Sequence, residues 1–407
     1  MQDRSLVFEL KTVFLNKVDN AFLLLYNGRM ETRYLLKLVA GATKNSLVEK
    51  ENIDYKKLFE LAVRQQVHTL AYSALSKQDI EENEILLNWK KIHIGTCFKY
   101  AIFFEQLKPV LDTLEKEKIE ITLLKGSVYR ELYPSPELRT MGDVDILIKE
   151  EDIPHFEKAI STLGYSRPEK QGHLTELGYE YNANGKPNVE AFFSLREDFR
   201  DKYDIKYQNG TQKYKNYEYV YKLCDLYAII HHVAHFSKHF YSAGAGIRFL
   251  ADLYLLLTKL DYDKNELIKE LKSLKLYNFF SVSVCTLKKY FDFSPDFEHL
   301  DKSDIVEQFV DYLFRDTVYG TKDSASLVKR TVKKGKFKMI LKALFPDVEF
   351  LCTKYMWFKK HKWLIPIAWL RHIFSIITRP GKVKKNLSYL TSKESTKDIK
   401  LFNSLED

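Results

Sequence analysis

Cysteine is scarce in this chain. The four residues, Cys97, Cys224, Cys285 and Cys352, stand far apart in 407 positions and form no Cys-x-x-Cys pair. That argues against a disulfide framework and reads as buried thiols of a reducing compartment. The opening MQDRSLVFELKTVF lacks a basic region followed by an apolar run and a small-residue cleavage site, so no secretory leader is expected. Long apolar runs are missing as well. The stretch 363–370 is short, contains Pro366, and is followed by Arg371 and His372, which argues against a bilayer span. A cytoplasmic protein is expected. There is no internal repeat, no low-complexity linker, and no His-Glu-x-x-His zinc pattern.

Acidic residues are scarce between Arg330 and Lys385. Between Arg330 and Lys385 there are 15 Lys and Arg against two acids, a charge of +13, whereas the whole chain carries +9; the remainder is therefore at −4. The basic character belongs to one segment. That segment also holds Tyr355, Trp357, Phe358, Trp363 and Trp369. Bases interleaved with rings fit a helical subdomain with solvated lysines first, then peripheral contact with an anionic membrane, then nucleic acid.

Hydrophobic residues at 45% and aromatics at 14%, with 26 Tyr and 27 Phe, supply enough core for two or three domains. Residues 5–118 read as helices. YKKLFELAVRQQVHTLAYSALSK places Leu58, Leu61, Ala62, Val67, Leu70 and Leu75 at helical spacing, and FFEQLKPVLDTLEKEKI repeats the pattern. At 119 the period shortens. IEITLLKG and VDILI read as strands, and EEDIPHFEKAISTLGY as a helix ending at Gly164. LGYEYNANGKPNVEAFFSL reads as a hairpin whose second strand begins near Val189. Helical spacing returns from about 220. The expected fold is α+β, a small mixed-sheet core flanked by N- and C-terminal helical domains. The boundaries expected are 1–100 helical, 101–215 α/β core, 216–330 helical, and 331–407 basic and aromatic-rich.

Within the core, GDVDILI sets two acids at the mouth of a strand. Strand side chains alternate, so Asp143 and Asp145 project together while Val144 and Ile146 turn to the core. Paired carboxylates repel, and a shared hard cation removes the penalty. Two such ions about 3.5–4 Å apart clamp an in-line phosphoryl displacement. Glu190, in the apolar strand after the hairpin turn, is the candidate third carboxylate. Upstream, Gly126-Ser127 ends a strand and opens a short helix, where a free backbone amide, the Ser127 hydroxyl and close approach at glycine suit a triphosphate. The order of strand, Gly-Ser, short helix, Asp-x-Asp, helix, hairpin and acid is what nucleotidyl transfer needs.

That order resembles the nucleotidyltransferase superfamily typified by DNA polymerase beta. More narrowly, LLKGSVYRELYPSPELRTMGDVDILI is similar to the bacterial uncharacterised nucleotidyltransferase family proteins. The likeness rests on Leu124, Lys125, Gly126, Tyr133, Pro134, Arg139, Asp143, Asp145, Ile146 and Leu147, and extends in weaker form over about 35–375. Ala191 follows Glu190 where the group often has His. The resemblance implies transfer of a nucleoside monophosphate, taken here as AMP from ATP, to an unidentified acceptor with release of pyrophosphate. It implies two Mg²⁺ ions, or Mn²⁺ in their place, on Asp143, Asp145 and Glu190. Lys125, Gly126, Ser127 and Arg139 would bind the nucleotide, although Lys125 and Arg139 are equally placed to pair with local acids. A non-catalytic nucleotide-binding or scaffold protein in a surface-polysaccharide or peptide-modification pathway is the alternative. His231, His235 and His239 share one helical face, open to a zinc reading, a cleft wall with Arg248 and Asp252, or a structural network.

Overall fold

The computed structural model describes residues 29–168, 173–175, 178–195, 210–242, 244–294, 297, 302–315, 341, 344–346, 348, 351, 362–378 and 392–405. In chain order come α1 (Arg29–Lys44), α2 (Tyr55–Arg64), α3 (His68–Leu75) and the long α4 (Glu84–Lys116). The α/β unit follows with β1 (Ile121–Leu123), the single-turn α5 (Gly126–Tyr129), β2 (Asp143–Ile148), α6 (Ile153–Ser161), β3 (His173–Thr175), β4 (Gly178–Tyr181), β5 (Asn188–Phe192), β6 (Thr211–Lys213) and β7 (Val220–Leu223). Helices α7 (Asp225–Ser242), α8 (Arg248–Lys259), α9 (Lys264–Ser273), α10 (Tyr277–Phe291) and α11 (Val306–Arg315) complete a second helical body. Further along lie α12 (Ile365–Thr378) and α13 (Lys393–Leu405). The fold is α+β, as expected. Tyr355, Trp357, Phe358 and Cys352, with most of the basic segment, fall outside the described residues.

All seven strands form one sheet in the order β3-β4-β5-β2-β1-β7-β6. Pairing is mixed: β2 with β5 and β1 with β7 are parallel, and the other neighbours antiparallel. Strand alternation splits the sheet's residues between two cores. Val144, Ile146, Ile148, Val189 and Ala191 join α4 and α6 through Tyr100, Leu107, Leu111, Phe156 and Ile160. Leu147 and Phe192 face the other way, into the helical body built from α1–α3 and α7–α11. The acids at odd positions of β2 and at 190 of β5 therefore face the helical body.

Three expectations are corrected. The run 55–77 is not one helix. It breaks at Gln65–Val67, where Gln66 takes φ +56°. The break lets the buried Gln65 side chain donate to Leu313 O and accept from Ile247 N, tying α2 to the second helical body. The sheet also continues past the boundary drawn at 215. The hairpin β6–β7 adds two strands ending at Leu223, with β7 parallel to β1, and α4 runs unbroken through the boundary drawn at 100. Three- and four-residue strands are too short for a period-2 pattern to stand out from their surroundings. Helix α6 ends at Ser161, three residues before the expected Gly164, which stands in the following turn at φ +83°, a conformation glycine adopts without steric cost.

Candidate active site

Register brings the acids together. Asp145 of β2 lies beside Glu190 of β5 in the parallel pair, and Asp143 beside Asn188. Side chains at paired positions leave the same face, so Asp143, Asp145 and Glu190 converge on the side of the helical body. Glu190 is near enough to Asp143 for that carboxylate to raise its proton affinity. The antiparallel pairing of β4 with β5 then sets Glu180 directly across from Glu190. Glu180 was missed in the sequence, yet a signal existed. Glu180 and Glu190 are equidistant from Gly185, the turn glycine at φ +75°, and a hairpin centred there pairs them.

One cation stands among these acids. Lys125 Nζ donates to Asp145 Oδ1 at 2.8 Å, with both side chains largely buried, and lies 5.2 Å from the Phe192 ring centroid. Its backbone holds φ +46°, ψ −121°, a conformation that strains a residue with a Cβ by roughly 1–3 kcal/mol. Leu124 N to Asp145 O at 3.0 Å fixes the chain on one side, and Lys125 O accepts from Val128 N and Tyr129 N on the other. The strained turn aims the lysine back across the mouth of β2. Ser127 is fully buried, and its hydroxyl has no hydrogen-bond partner among the described residues.

The segment leading into Asp143 is held at three successive residues. Arg139 makes a two-pronged ion pair with Asp252 of α8, Nε to Oδ1 at 2.9 Å and Nη2 to Oδ2 at 2.8 Å. Tyr133 adds its hydroxyl to Oδ1 at 2.7 Å. Thr140 O accepts from Arg248 Nη1 at 2.8 Å, and Met141 O from the Tyr100 hydroxyl at 2.7 Å. Arg248 and Asp252 lie one helical turn apart, so one face of α8 grips two neighbouring residues of the loop. Arg139 thus spends its fork on Asp252, and its guanidinium also packs onto Gly126. A Cβ at 126 would stand 2.3 Å from Arg139 Nη1, which is why the loop has glycine there.

The histidine face forms as drawn, with His231, His235 and His239 ring on ring at 6.2 and 4.4 Å and with His235 and His239 against Phe249. Among the described residues no group of three or more His, Cys, Asp or Glu side chains is arranged to hold a metal ion as it stands, and that covers the three histidines and the three acids alike. Among the acids, Lys125 is paired with Asp145. The donor set nevertheless suits a hard divalent cation. It is all carboxylate oxygen, and three acids against one ammonium leave negative charge in excess.

That excess shows in the proton affinities. Burial raises the Asp145 carboxyl above its ordinary range, with Lys125 opposing and Asp143 adding to the shift. Burial, then the charges of Asp143 and Asp145, push Glu190 up to about 8 from its ordinary 4.5. Folded, Glu190 keeps its proton to about 8; unfolded, it loses it near 4.5. The native state binds the extra proton between those values, so this contribution to stability is full below the lower one and is lost as pH rises through the upper. The melting temperature of chelator-treated protein is expected to fall as pH rises across that window, with a shallower slope in Glu190→Gln. An unchanged slope in the variant would assign the titration to another group.

No curated protein and no solved structure matches the chain. Residues 51–292, more than half its length and spanning Lys125 to Glu190 together with Asp252, match the family described as Uncharacterised nucleotidyltransferase. The acid-bearing central strands of the sheet and the Gly-Ser turn lie within the matched residues, and the chain belongs to the uncharacterised nucleotidyltransferase family.

Proposed function

We propose that the protein transfers a nucleoside monophosphate, AMP from ATP, to an acceptor hydroxyl with release of pyrophosphate. The observation that carries this reading is the β2–β5 register, which sets Glu190 beside Asp145 and against Asp143 on a face covered by helices. Asp143, Asp145 and Glu190 are the residues to hold Mg²⁺ or Mn²⁺, whose part would be to offset charge on the phosphates and on the attacking and leaving oxygens.

The chain's own groups do the rest. Lys125, released from Asp145, carries its ammonium to the phosphates, and the amide of Gly126 meets a phosphate oxygen where no Cβ intervenes. The acceptor oxygen attacks the α-phosphorus, the bond from that phosphorus to the bridging oxygen breaks, and pyrophosphate leaves. Glu190 would take the acceptor's proton. Arg139 acts through position: with Asp252 it packs against Gly126 and anchors the loop that aims Asp143.

Incubation with ATP labelled at the α- or the γ-phosphate, Mg²⁺ and a cell extract tests the reading. The α-label is expected on an acceptor, with pyrophosphate released in equal amount. Release of ADP with the γ-label on the acceptor would mean phosphoryl transfer and overturn it. Nucleotide binding with no turnover under any extract would favour the non-catalytic alternative in a surface-polysaccharide or peptide-modification pathway.

A further inference from the structure

The helix α12 is apolar on two faces, and the core needs only one. On the inner face Ala368 and His372 are buried, Leu351 packs with Ala368, Ile365 and Trp369, and the Trp369 indole donates to Pro346 O at 2.9 Å. Phe345 meets the Trp369 ring edge-on at 5.5 Å. The outer face carries Ile367, Leu370 and Phe374 at 53%, 68% and 67% exposure, continued by Trp363 at 77% in the turn just before it. Positions 363, 367, 370 and 374 recur every three or four residues, so the four side chains form one stripe. A soluble helix puts polar residues there.

Charge indicates what covers the stripe. Between Glu349 and Glu394 the chain has ten Lys and Arg and no acid. A segment so charged repels a second copy of itself, because each copy would bring the same unopposed positive charge. Nucleic acid would answer the charge but gives Ile367 and Leu370 nothing to bury against, since bases stack on rings. An anionic lipid surface answers both. It takes aliphatic side chains below the headgroups, rings such as Trp363 at the boundary, and bases against the phosphates. Among the described residues no helix is long and apolar enough to cross a membrane. At 14 residues α12 is about 21 Å long, short of the roughly 30 Å hydrocarbon layer.

We propose that α12 lies in the plane of an anionic membrane surface, with Trp363, Ile367, Leu370 and Phe374 inserted and the surrounding Lys and Arg on lipid phosphates.

Cosedimentation of the full-length protein with vesicles of phosphatidylcholine alone, or with about one-third phosphatidylglycerol, tests this. Binding is expected to the anionic vesicles, at least about tenfold weaker to neutral ones or at about 0.5 M salt. Leu370→Ser/Phe374→Ser is expected to weaken it at least about fiftyfold with an unchanged melting temperature, since both side chains are exposed. Tryptophan emission should shift to the blue on the vesicles, and the shift should shrink in Trp363→Phe. Equal binding by the double serine variant overturns the proposal, as does binding that ignores lipid charge and salt. So does a dimer that needs the stripe while vesicles are ignored, or binding to RNA alone. Each readout is independent of nucleotide turnover, so the proposal stands or falls apart from the reaction assigned above.

Discussion

Asp145→Asn is expected to abolish label transfer from ATP, by about a thousandfold or more, as is Asp143→Asn. Both positions stand at the mouth of β2, where alternation directs them to the same spot and where Val144 and Ile146 lock the strand into the core beneath. Asn keeps the size and the hydrogen-bonding reach of Asp but removes the charge. The two variants should differ away from activity. Asp145 is the carboxylate that Lys125 holds at 2.8 Å, so its replacement breaks the ion pair of a largely buried ammonium. A charged group stripped of its partner in a buried pair costs several kcal/mol, about 3–5 in well-packed cases. Asp145→Asn should therefore also lower the melting temperature. In Asp143→Asn the lysine keeps its pair, and one source of repulsion with Glu190 is gone. Its melting temperature should be equal to or above that of the parent protein. Differential scanning calorimetry beside the transfer assay checks both. Label transfer persisting in either variant would remove the acids from the reaction.

The second large effect is on Arg139. Arg139→Ala should destabilise the protein by about 3–5 kcal/mol, because Asp252 would stay buried without its ion-pair partner. Burial alone would raise the Asp252 carboxyl, and in the intact protein Arg139 outweighs it and holds Asp252 below its ordinary range. This pair's contribution to stability is present above the ordinary carboxylate pKa and lost as pH falls through the depressed one, the opposite sense to Glu190. Replacing both partners with apolar residues, Arg139→Met/Asp252→Leu, should recover most of the stability, since a buried pair is often no better than a well-packed apolar one. It should not recover transfer. The guanidinium that packs on Gly126 and anchors the Thr140–Met141 segment would be gone, and the loop before Asp143 would lose its aim. Denaturant melts and steady-state kinetics of the single and double variants separate the two effects. If the double variant regains activity along with stability, Arg139 has a purely structural part. If Arg139→Lys instead raises the KM for ATP with little loss of stability, Arg139 reaches the phosphate directly.

The local features of this site were legible because they depend on short-range geometry. Strand alternation alone puts Asp143 and Asp145 on one side, and a glycine before a short helix marks close approach at 126. The hairpin turn locates the strand that holds Glu190. What was not legible is pairing across distance. Arg139 could be read as a phosphate ligand because nothing within a few residues of it names Asp252, 113 positions on, as its partner. The helix broken at Gln66 shows the same limit. Apolar spacing runs through the break without a fault, and only the bonds from Gln65 to Leu313 and Ile247 make the break worthwhile.

The sequence by itself determined the α+β class, the Asp-x-Asp strand and its aim, and the basic character of the C-terminal segment. Periodicity and composition are local quantities, and each of these is a local property. Tertiary structure alone decided that Glu190 falls beside Asp145 and Glu180 opposite Glu190, that Lys125 is the acids' resident counter-charge, and that one face of α8 holds the loop before Asp143. Those facts are matters of register and docking. They are set by how two hydrophobic cores close on opposite faces of one sheet, and no window along the chain contains them.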